Sequence, residues 1–220
     1  KADSIWFATR TGVSRYNGNA WQTFTGLGSD SMRAIAVDST GYIWAGSTDG
    51  LFVYDGAIWK NLSIVPASSG SSNVERIATD KKGIIWLDTD YYIYTYCIDT
   101  RQTEKVSDIL PSVTDMFVDK DGILWVTTVH GVKYYDGNIW HDFAMADGET
   151  DVSVNTMLID RDGIKWFAIN GEGVSRYNGK DWQTFTTTDG LSNNVVTSIY
   201  QDRASNIWFA TASGISCYTQ

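Results

Sequence analysis

Residues 5–25 read IWFATRTGVSRYNGNAWQTFT, and residues 165–186 read KWFAINGEGVSRYNGKDWQTFT, so one segment occurs twice in this chain of 220 residues. Weaker copies fill the space between. Six tryptophans at the same position of the copies are separated by 38, 42, 39, 41 and 42 residues: Trp6, Trp44, Trp86, Trp125, Trp166 and Trp208. An Asp lies six residues before five of them: Asp38, Asp80, Asp119, Asp160 and Asp202. A fixed period of this length indicates a repeat architecture.

Each copy contains four short segments of strand character that are separated by turn signals. The first strand leads into a D-x-x-G turn such as DKDG at 119–122, where Asp suits an Asx turn and Gly allows a positive φ. The second strand carries the Trp and the third ends in Tyr. The fourth follows an Asn-Gly or Asp-Gly hairpin turn such as Asn17-Gly18. Four antiparallel strands per repeat are typical of a β-propeller blade, so we predict an all-β protein with a single propeller domain over 1–220.

The number of strands is not a whole number of blades. The copies supply five first strands, six second, six third and five fourth strands, one of them degenerate, which makes 22. The first blade lacks its inner strand and the last blade its outer strand. We therefore predict six blades with an incomplete first and last blade. Two alternatives stay open, namely five blades closed by the N-terminal strands, or part of a larger ring.

The pattern D-x-x-G-x-I-W-x-A-T-x-x-G-V-x-R-Y-x-G runs through several copies with its Asp, Gly, Trp and Tyr at fixed offsets. This pattern resembles the two-component regulator propeller repeat. The resemblance implies a sensor propeller of a bacterial hybrid two-component system or a secreted repeat protein, located in the periplasm or outside the cell. Many members respond to polysaccharide fragments, so the resemblance also implies ligand binding, but it names no ligand.

Composition and motifs exclude several classes of function. The formal charge is −9 and no basic run is present, which argues against a nucleic-acid partner. No apolar run approaches the ~20 residues of a membrane span, so no membrane insertion is expected. Cys97 and Cys217 are predicted to be too far apart for a disulfide. His130 and His141 have no nucleophile or metal-ligand context, so we expect no catalytic residue, cofactor or metal, although hydrolase or lyase activity stays open.

The inner strands carry polar residues at equivalent positions, and these predict a polar funnel. Its members include Arg33, Arg76, Asp115 and Asn155. Such a funnel could bind a small polar or anionic ligand at its mouth. The alternative is a solvated channel without a ligand, because propeller channels are usually wet.

The third repeat departs from the pattern. Asp88 stands where other copies have a small residue, Tyr92 replaces the expected Gly, and Tyr91, Tyr94 and Tyr96 lie nearby. Tyrosine rings with carboxylates can hold sugar rings, so Asp88, Tyr91 and Tyr92 join the candidate binding residues. The alternative is a blade that repacked after losing its outer-strand Trp.

The connections differ between the two ends of the blades. The D-x-x-G and hairpin turns hardly vary, whereas the loops from fourth to first strand differ widely, as at 25–31, 63–72, 145–153 and 187–194. Divergent loops are where a site can be built. The sequence therefore predicts a non-catalytic sensor or binding propeller for a glycan or other small polar ligand. The alternative is a structural or protein-interaction scaffold that self-associates through the open edges of its terminal blades.

Overall fold

The computed structural model describes residues 4–28, 31–62, 72–107, 110 and 112–219. Within these residues the fold is all-β, with 22 strands, no α-helix and two short 3₁₀ turns at Ala146–Gly148 and Thr187–Asp189. The chain divides into two compact units, residues 1–110 with 116–118, and residues 111–115 with 119–220. Most of the variable loop at 63–72 and part of the loop at 25–31 lie outside the described residues.

The first unit contains three antiparallel sheets, each formed by strands consecutive in sequence. Sheet 1 has three strands: β1 (Ile5–Thr9), β2 (Gly12–Tyr16) and β3 (Trp21–Phe24). Sheet 2 has four: β4 (Met32–Val37), β5 (Ile43–Ser47), β6 (Gly50–Tyr54) and β7 (Trp59–Leu62). Sheet 3 also has four: β8 (Arg76–Thr79), β9 (Ile84–Asp88), β10 (Ile93–Cys97) and β11 (Thr103–Lys105).

The second unit contains sheets 4 to 6, apart from residues 116–118 of β12. Sheet 4 consists of β12 (Val113–Val118), β13 (Leu124–Thr128), β14 (Gly131–Tyr135) and β15 (Trp140–Phe143). Sheet 5 consists of β16 (Val154–Ile159), β17 (Lys165–Ile169), β18 (Gly173–Tyr177) and β19 (Trp182–Phe185). Sheet 6 has three strands: β20 (Val196–Gln201), β21 (Ile207–Thr211) and β22 (Gly214–Tyr218).

The six sheets are blades of a β-propeller, and the prediction of 22 strands with an incomplete first and last blade is confirmed. The five-blade alternative required β1–β3 to join another sheet, but these strands form a sheet of their own. Strand limits differ most in sheet 3, where β8 begins at Arg76, two residues later than the sequence pattern, and β11 is three residues long. In sheet 6, β20 is Val196–Gln201, one residue later than the predicted strand 195–200. A single domain over 1–220 stays a prediction.

The Asp–Trp spacing of six residues has a direct structural cause. In sheet 5 one carboxylate oxygen of Asp160 accepts the backbone N–H groups of Asp162 and Ile164 and closes the turn, while the other accepts the indole N–H of Trp166 at 2.9 Å. Asp38, Asp119 and Asp202 accept the indole N–H of their own Trp in the same way. The carboxylate therefore fixes both the turn and the ring.

The core of each unit lies between the faces of neighbouring sheets. In the first unit Trp44 packs with Leu87 and Tyr96 of sheet 3, and in the second Trp166 packs with Ile207 and Phe209 of sheet 6. Alternate residues of the second strand point to opposite faces, so in sheets 2 and 5 the Trp faces the following sheet and the residue after it faces the preceding one. The regular spacing of the tryptophans along the chain thus produces the same kind of interface in both units.

Candidate functional site

A connected group of charged and amide side chains lies at one end of sheets 2 and 3 in the first unit. It is formed by the start of β4 and of β8, the end of β9, the segment before β8 and the turn after β9. We call it the unit-1 polar cluster, and its members are Arg33, Asn73, Glu75, Arg76, Asp88 and Asp90. Arg33, Arg76 and Asp88 were among the residues predicted from the sequence.

Arg33 reaches the neighbouring sheet because it is the extra residue of a β-bulge. Met32 pairs with Ser47 and Ala34 with Gly46, so Arg33 has no partner in β5. Its Nη1 donates to both carboxylate oxygens of Glu75, at 2.7 and 2.9 Å. The guanidinium remains partly exposed, so an arginine at this bulge can face both an internal partner and solvent.

The side chains at the corresponding sequence positions in the second unit make a different bond. Thr114 donates to the backbone carbonyl of Val154 at 2.5 Å, and Asn155 to the carbonyl of Val196 at 3.0 Å. Both bonds tie one inner strand to the next. Asn155, a predicted binding residue, is therefore held by the scaffold.

Asn73 connects two carboxylates of the cluster. Its side-chain amide donates to Glu75 Oε1 at 2.5 Å and to Asp90 Oδ1 at 2.6 Å. Asp90 lies in the turn after β9, where Thr89 bonds the carbonyl of Tyr92 through both its backbone N–H and its hydroxyl. Sequence reasoning missed Asn73 and Asp90 because both lie outside the strands, in loops whose course no repeat pattern predicts.

Asp88 is the buried member of the cluster. Its side chain is 5% exposed and pairs with Arg76 Nη1 at 2.8 Å, in register with β8. Burial raises the pKa of the Asp88 carboxyl to about 6, and the negative charges of Glu75 and Asp90 add to this, whereas the Arg76 partner lowers it. Desolvation prevails because the carboxylate loses its water and gains a single cation.

The tyrosines of sheet 3 separate into surface and core residues. Tyr91 is 53% exposed at the tip of the turn beside Asp90. Tyr92 contacts it edge-on at 6.3 Å between ring centroids, and Lys105 Nζ lies 4.5 Å from the centre of the Tyr92 ring. Tyr94 and Tyr96 are buried in the core of the unit. Of the four tyrosines that the sequence grouped together, Tyr91 is thus the one whose ring is exposed.

Asp115 lies in the second unit and binds a residue of the adjacent inner strand. Its Oδ2 accepts the hydroxyl hydrogen of Thr156 at 2.5 Å. The predicted binding residues therefore fall into groups: Arg33, Arg76 and Asp88 in the unit-1 polar cluster, Tyr91 and Tyr92 in the turn beside it, and Asp115 and Asn155 in bonds between sheets of the second unit.

A cleft of about 210 Å³ in the second unit lies beneath the variable loop at 145–153. Its lining combines exposed Glu149 and Glu172 with the hydroxyls of Ser175 and Thr184, which are 3.0 Å apart. Two carboxylates at its mouth favour neutral or cationic ligands over anions. The sequence showed only that this loop varies among the copies.

The histidines and cysteines have ordinary surroundings. His130 Nδ1 lies 3.0 Å from Asp151, and His141 Nε2 lies 2.8 Å from Asp136 with its ring stacked on Tyr134. Cys97 and Cys217 are free thiols. Among the described residues no group of three or more His, Cys, Asp or Glu side chains is arranged to hold a metal ion.

Three of the repeats match the model of a known family. A family model for the two component regulator propeller matches residues 26–49, 109–130 and 190–213. Each of these stretches runs through a D-x-x-G-type turn to a Trp of the repeat. These segments are two-component regulator propeller repeats. This match confirms the resemblance that the sequence pattern indicated. No curated protein matches the sequence significantly.

Solved structures with this fold include regulators, a secretion component and an enzyme. The extracellular domain assigned to the hybrid two-component system BT3049 of B. thetaiotaomicron has a TM-score of 0.80 at 16% identity, over 97% of this chain and 31% of its own. PorZ, a surface component of the type-IX secretion system of Porphyromonas gingivalis, has a TM-score of 0.81 at 17% identity, over 98% and 37%. Virginiamycin B lyase from Staphylococcus aureus has a TM-score of 0.74 at 14% identity, over 100% and 82%.

These likenesses support the fold. The chain spans about a third of the length of the BT3049 domain and of PorZ. The lyase among the similar structures shows that other proteins with this fold can be enzymes. Within the described part of the chain, no helix has the length and apolar character needed to cross a membrane.

Proposed function

We propose that this chain is a non-catalytic binding propeller and that the unit-1 polar cluster with Tyr91 recognises a glycan or a similar small polar ligand. The observation that carries the proposal is an exposed aromatic ring at the tip of a turn whose neighbouring side chains are charged hydrogen-bonding groups. Sugar rings present apolar C–H faces and several hydroxyls, so they need both kinds of surface at once.

The cluster offers hydrogen bonds whose geometry is fixed before a ligand arrives. Glu75 is held by Arg33 and Asn73, and Asp90 by Asn73, so both carboxylates keep their orientation. A ligand that stacks on Tyr91 would place its hydroxyls near the adjacent Asp90, which Asn73 connects to Glu75. Preorganised polar groups improve affinity because less side-chain freedom is lost on binding.

Both arginines of the cluster are paired with carboxylates of the cluster. Arg33 pairs with Glu75, and Arg76 with Asp88. This arrangement favours a neutral polyhydroxyl ligand over a strongly charged one. The similarity to an extracellular domain of a two-component system supports a location outside the cytoplasm, in the periplasm or beyond the cell, and supports a sensor role.

The test is a glycan array with the wild-type chain and the Tyr91→Ala variant. We expect Tyr91→Ala to weaken binding about tenfold or more, equivalent to ~1.4 kcal/mol, with an unchanged melting temperature because the ring is exposed. Tyr42→Ala is the matched control, since Tyr42 is an exposed tyrosine that directly follows the D-x-x-G turn between β4 and β5, away from the variable loops. Its binding should equal that of the wild type.

Two outcomes contradict the proposal. Equal glycan binding by wild type and Tyr91→Ala would remove the aromatic ring from the site. Cleavage products from a bound glycan, detected by mass spectrometry, would show catalysis. Tyr92→Ala is a useful further variant, because Tyr92 packs against the core of the unit and its loss should lower the melting temperature.

A further inference from the structure

The cleft beneath the loop at 145–153 has a volume of about 210 Å³, and all of its lining residues belong to the second unit. The lining combines apolar side chains, two hydroxyls and two exposed glutamates. We call it the sheet-5 cleft, and its principal lining residues are Met145, Glu149, Ile169, Glu172, Ser175 and Thr184. The volume is below the roughly 300 Å³ at which ligand pockets usually begin, so a ligand of this cleft would be small.

The cleft opens where sheet 5 has a small residue and sheet 2 has a large one. Ser175 and Phe52 hold the same position in the third strand of their sheets, two residues after its Gly. Phe52 is 4% exposed and belongs to the core against which Leu27 of the preceding loop packs. Its ring lies so near that loop that a Cβ at Gly28 would be 3.1 Å from it. Ser175 has no ring to fill the equivalent space beneath its own loop.

The polar side chains of the cleft can all accept hydrogen bonds. Ser175 is 3% exposed, and its Oγ lies 3.0 Å from Thr184 Oγ1. One hydrogen bond between two hydroxyls leaves lone pairs on both oxygens. Glu149 and Glu172 add two carboxylates, which accept hydrogen bonds and donate none when ionised. The lining therefore suits a ligand that is rich in donors.

The carboxylates of the cleft have no cation from the described part of the chain. In sheet 4, Lys133 holds the position of Ser175 and forms an ion pair with Asp142. The described lining of the sheet-5 cleft includes no lysine or arginine. No described residue forms an ion pair with Glu149 or Glu172. Two unneutralised carboxylates beside a recess attract cations into it.

The backbone holds both glutamates in fixed turns. The N–H of Met145 donates to the carbonyl of Glu149 at 2.7 Å, which closes the loop above the cleft. The N–H of Glu172 donates to the carbonyl of Ile169 at 3.2 Å, which closes the turn on the other side. Little backbone freedom would be lost when a ligand enters, which favours binding.

We propose that the sheet-5 cleft binds a small organic ammonium ion, with its charged group at Glu149 and Glu172 and its hydrocarbon chain against Met145 and Ile169. A primary ammonium has three N–H donors and no acceptor, which matches the carboxylate and hydroxyl oxygens of the lining. The same chemistry occurs in a free alkylamine and in a lysine side chain of a peptide. This site rests on none of the residues proposed to bind a glycan.

The first experiment titrates the isotope-labelled full chain with butylammonium and follows amide chemical shifts by NMR. Salt at about 0.15 M screens the general attraction of a chain of charge −9 beyond about 8 Å. We expect saturable shifts at the amides of residues 145–153 and of Ser175, with a Kd of about 1 mM for so small a ligand. Butanol and butyrate have the same carbon chain without the positive charge, and each should bind at least about tenfold more weakly.

The second experiment blocks the cleft. Ser175→Phe introduces the ring that sheet 2 has at this position, and it should raise the Kd for butylammonium more than about tenfold. Ser14→Phe is the matched control, because Ser14 bonds Thr23 in sheet 1 as Ser175 bonds Thr184 and lies outside the cleft. Its Kd should equal that of the wild type.

The third experiment removes the charges one at a time. Glu149→Gln and Glu172→Gln should each raise the Kd about threefold, since each exposed ion pair contributes modestly, and the double variant about tenfold. Glu104→Gln removes the same charge from an exposed position of β11 outside the cleft, so its Kd should not change. Both glutamates of the cleft are exposed, so these variants should melt like the wild type.

Three results would overturn the proposal: no saturable shift with butylammonium, equal binding of butanol, or an unchanged Kd in the double glutamine variant. The last of these applies even where Ser175→Phe lowers the melting temperature. A capped Gly-Lys-Gly peptide separates the two sources of the ammonium group. Binding of the peptide as tight as that of butylammonium indicates a lysine side chain of a partner, and weaker binding indicates a free amine.

Discussion

The buried carboxylate of Asp88 should make the fold less stable at neutral than at mildly acidic pH. Its pKa of about 6 in the fold lies well above the ordinary value of 3.8. Between these two values the folded state binds a proton that the unfolded state has released. The free energy of unfolding therefore falls as pH rises through this window, and the loss is complete above the folded pKa.

The size of this effect follows from the difference between the two pKa values. About two pKa units at 1.36 kcal/mol each correspond to about 3 kcal/mol. The side chain is almost fully buried, so solvent screening reduces this figure little. In Asp88→Asn the amide oxygen can still accept from Arg76 but never ionises, so the variant lacks the penalty at neutral pH.

The assay compares urea unfolding of the wild type and Asp88→Asn between about pH 4 and pH 8, because the difference between the two chains removes the titration of all other groups. Relative to the wild type, the variant should gain up to about 3 kcal/mol as pH rises across this range. Asp189→Asn is the control: hydrogen bonds from the backbone N–H and the hydroxyl of Thr186 lower the pKa of Asp189, so its difference should change only at more acidic pH. A pH-independent difference for Asp88→Asn, or a slope of opposite sign, would refute the reasoning.

Two matched pairs of variants test the scaffold. Asp160→Ala removes an acceptor from two backbone N–H groups and from the buried indole of Trp166, so it should lower the free energy of unfolding in urea by about 3–5 kcal/mol. Asp202→Ala should lower it by only about 1–2 kcal/mol, because the indole partner of Asp202 is partly exposed. Equal losses for the two variants would contradict this assignment. Gly131→Ala would place a Cβ 2.0 Å from a backbone carbonyl oxygen and should lower the free energy of unfolding by more than about 3 kcal/mol. Gly137→Ala, with a similar positive φ but open space, should cost only about 1–2 kcal/mol, and a small loss at both positions would argue against the close contact.

The prediction of the fold succeeded because its signals are local. Turn chemistry, alternation of side chains and the Asp–Trp spacing act within one repeat, and each is readable from about ten residues. The degenerate outer strand of sheet 3 was predicted over IDTRQTEKV, residues 98–106, and β11 lies within that stretch. Only its length was overestimated, because the sequence does not show where pairing with β10 stops.

The candidate site was predicted in part. Asp88, Tyr91 and Tyr92 were selected because they break the repeat, and Arg33 and Arg76 because they lie on inner strands. The hydrogen bonds that join Arg33 to Glu75 and Asn73 to Asp90 cross between sheets or between loops, and no spacing in the sequence predicts them. The bond from Asn155 to the carbonyl of Val196 also crosses between sheets, and a role of Asn155 in binding stays a prediction.

The sequence by itself determined the strands, their order and the sheet to which each belongs, because these depend on short-range hydrogen bonding and alternation. The tertiary structure decided which side of each sheet is covered. The pentapeptide IWFAT buries its isoleucine and phenylalanine in β21 but leaves them exposed in β1, with an identical local sequence. Burial depends on the neighbouring sheet, and so does the raised pKa of Asp88.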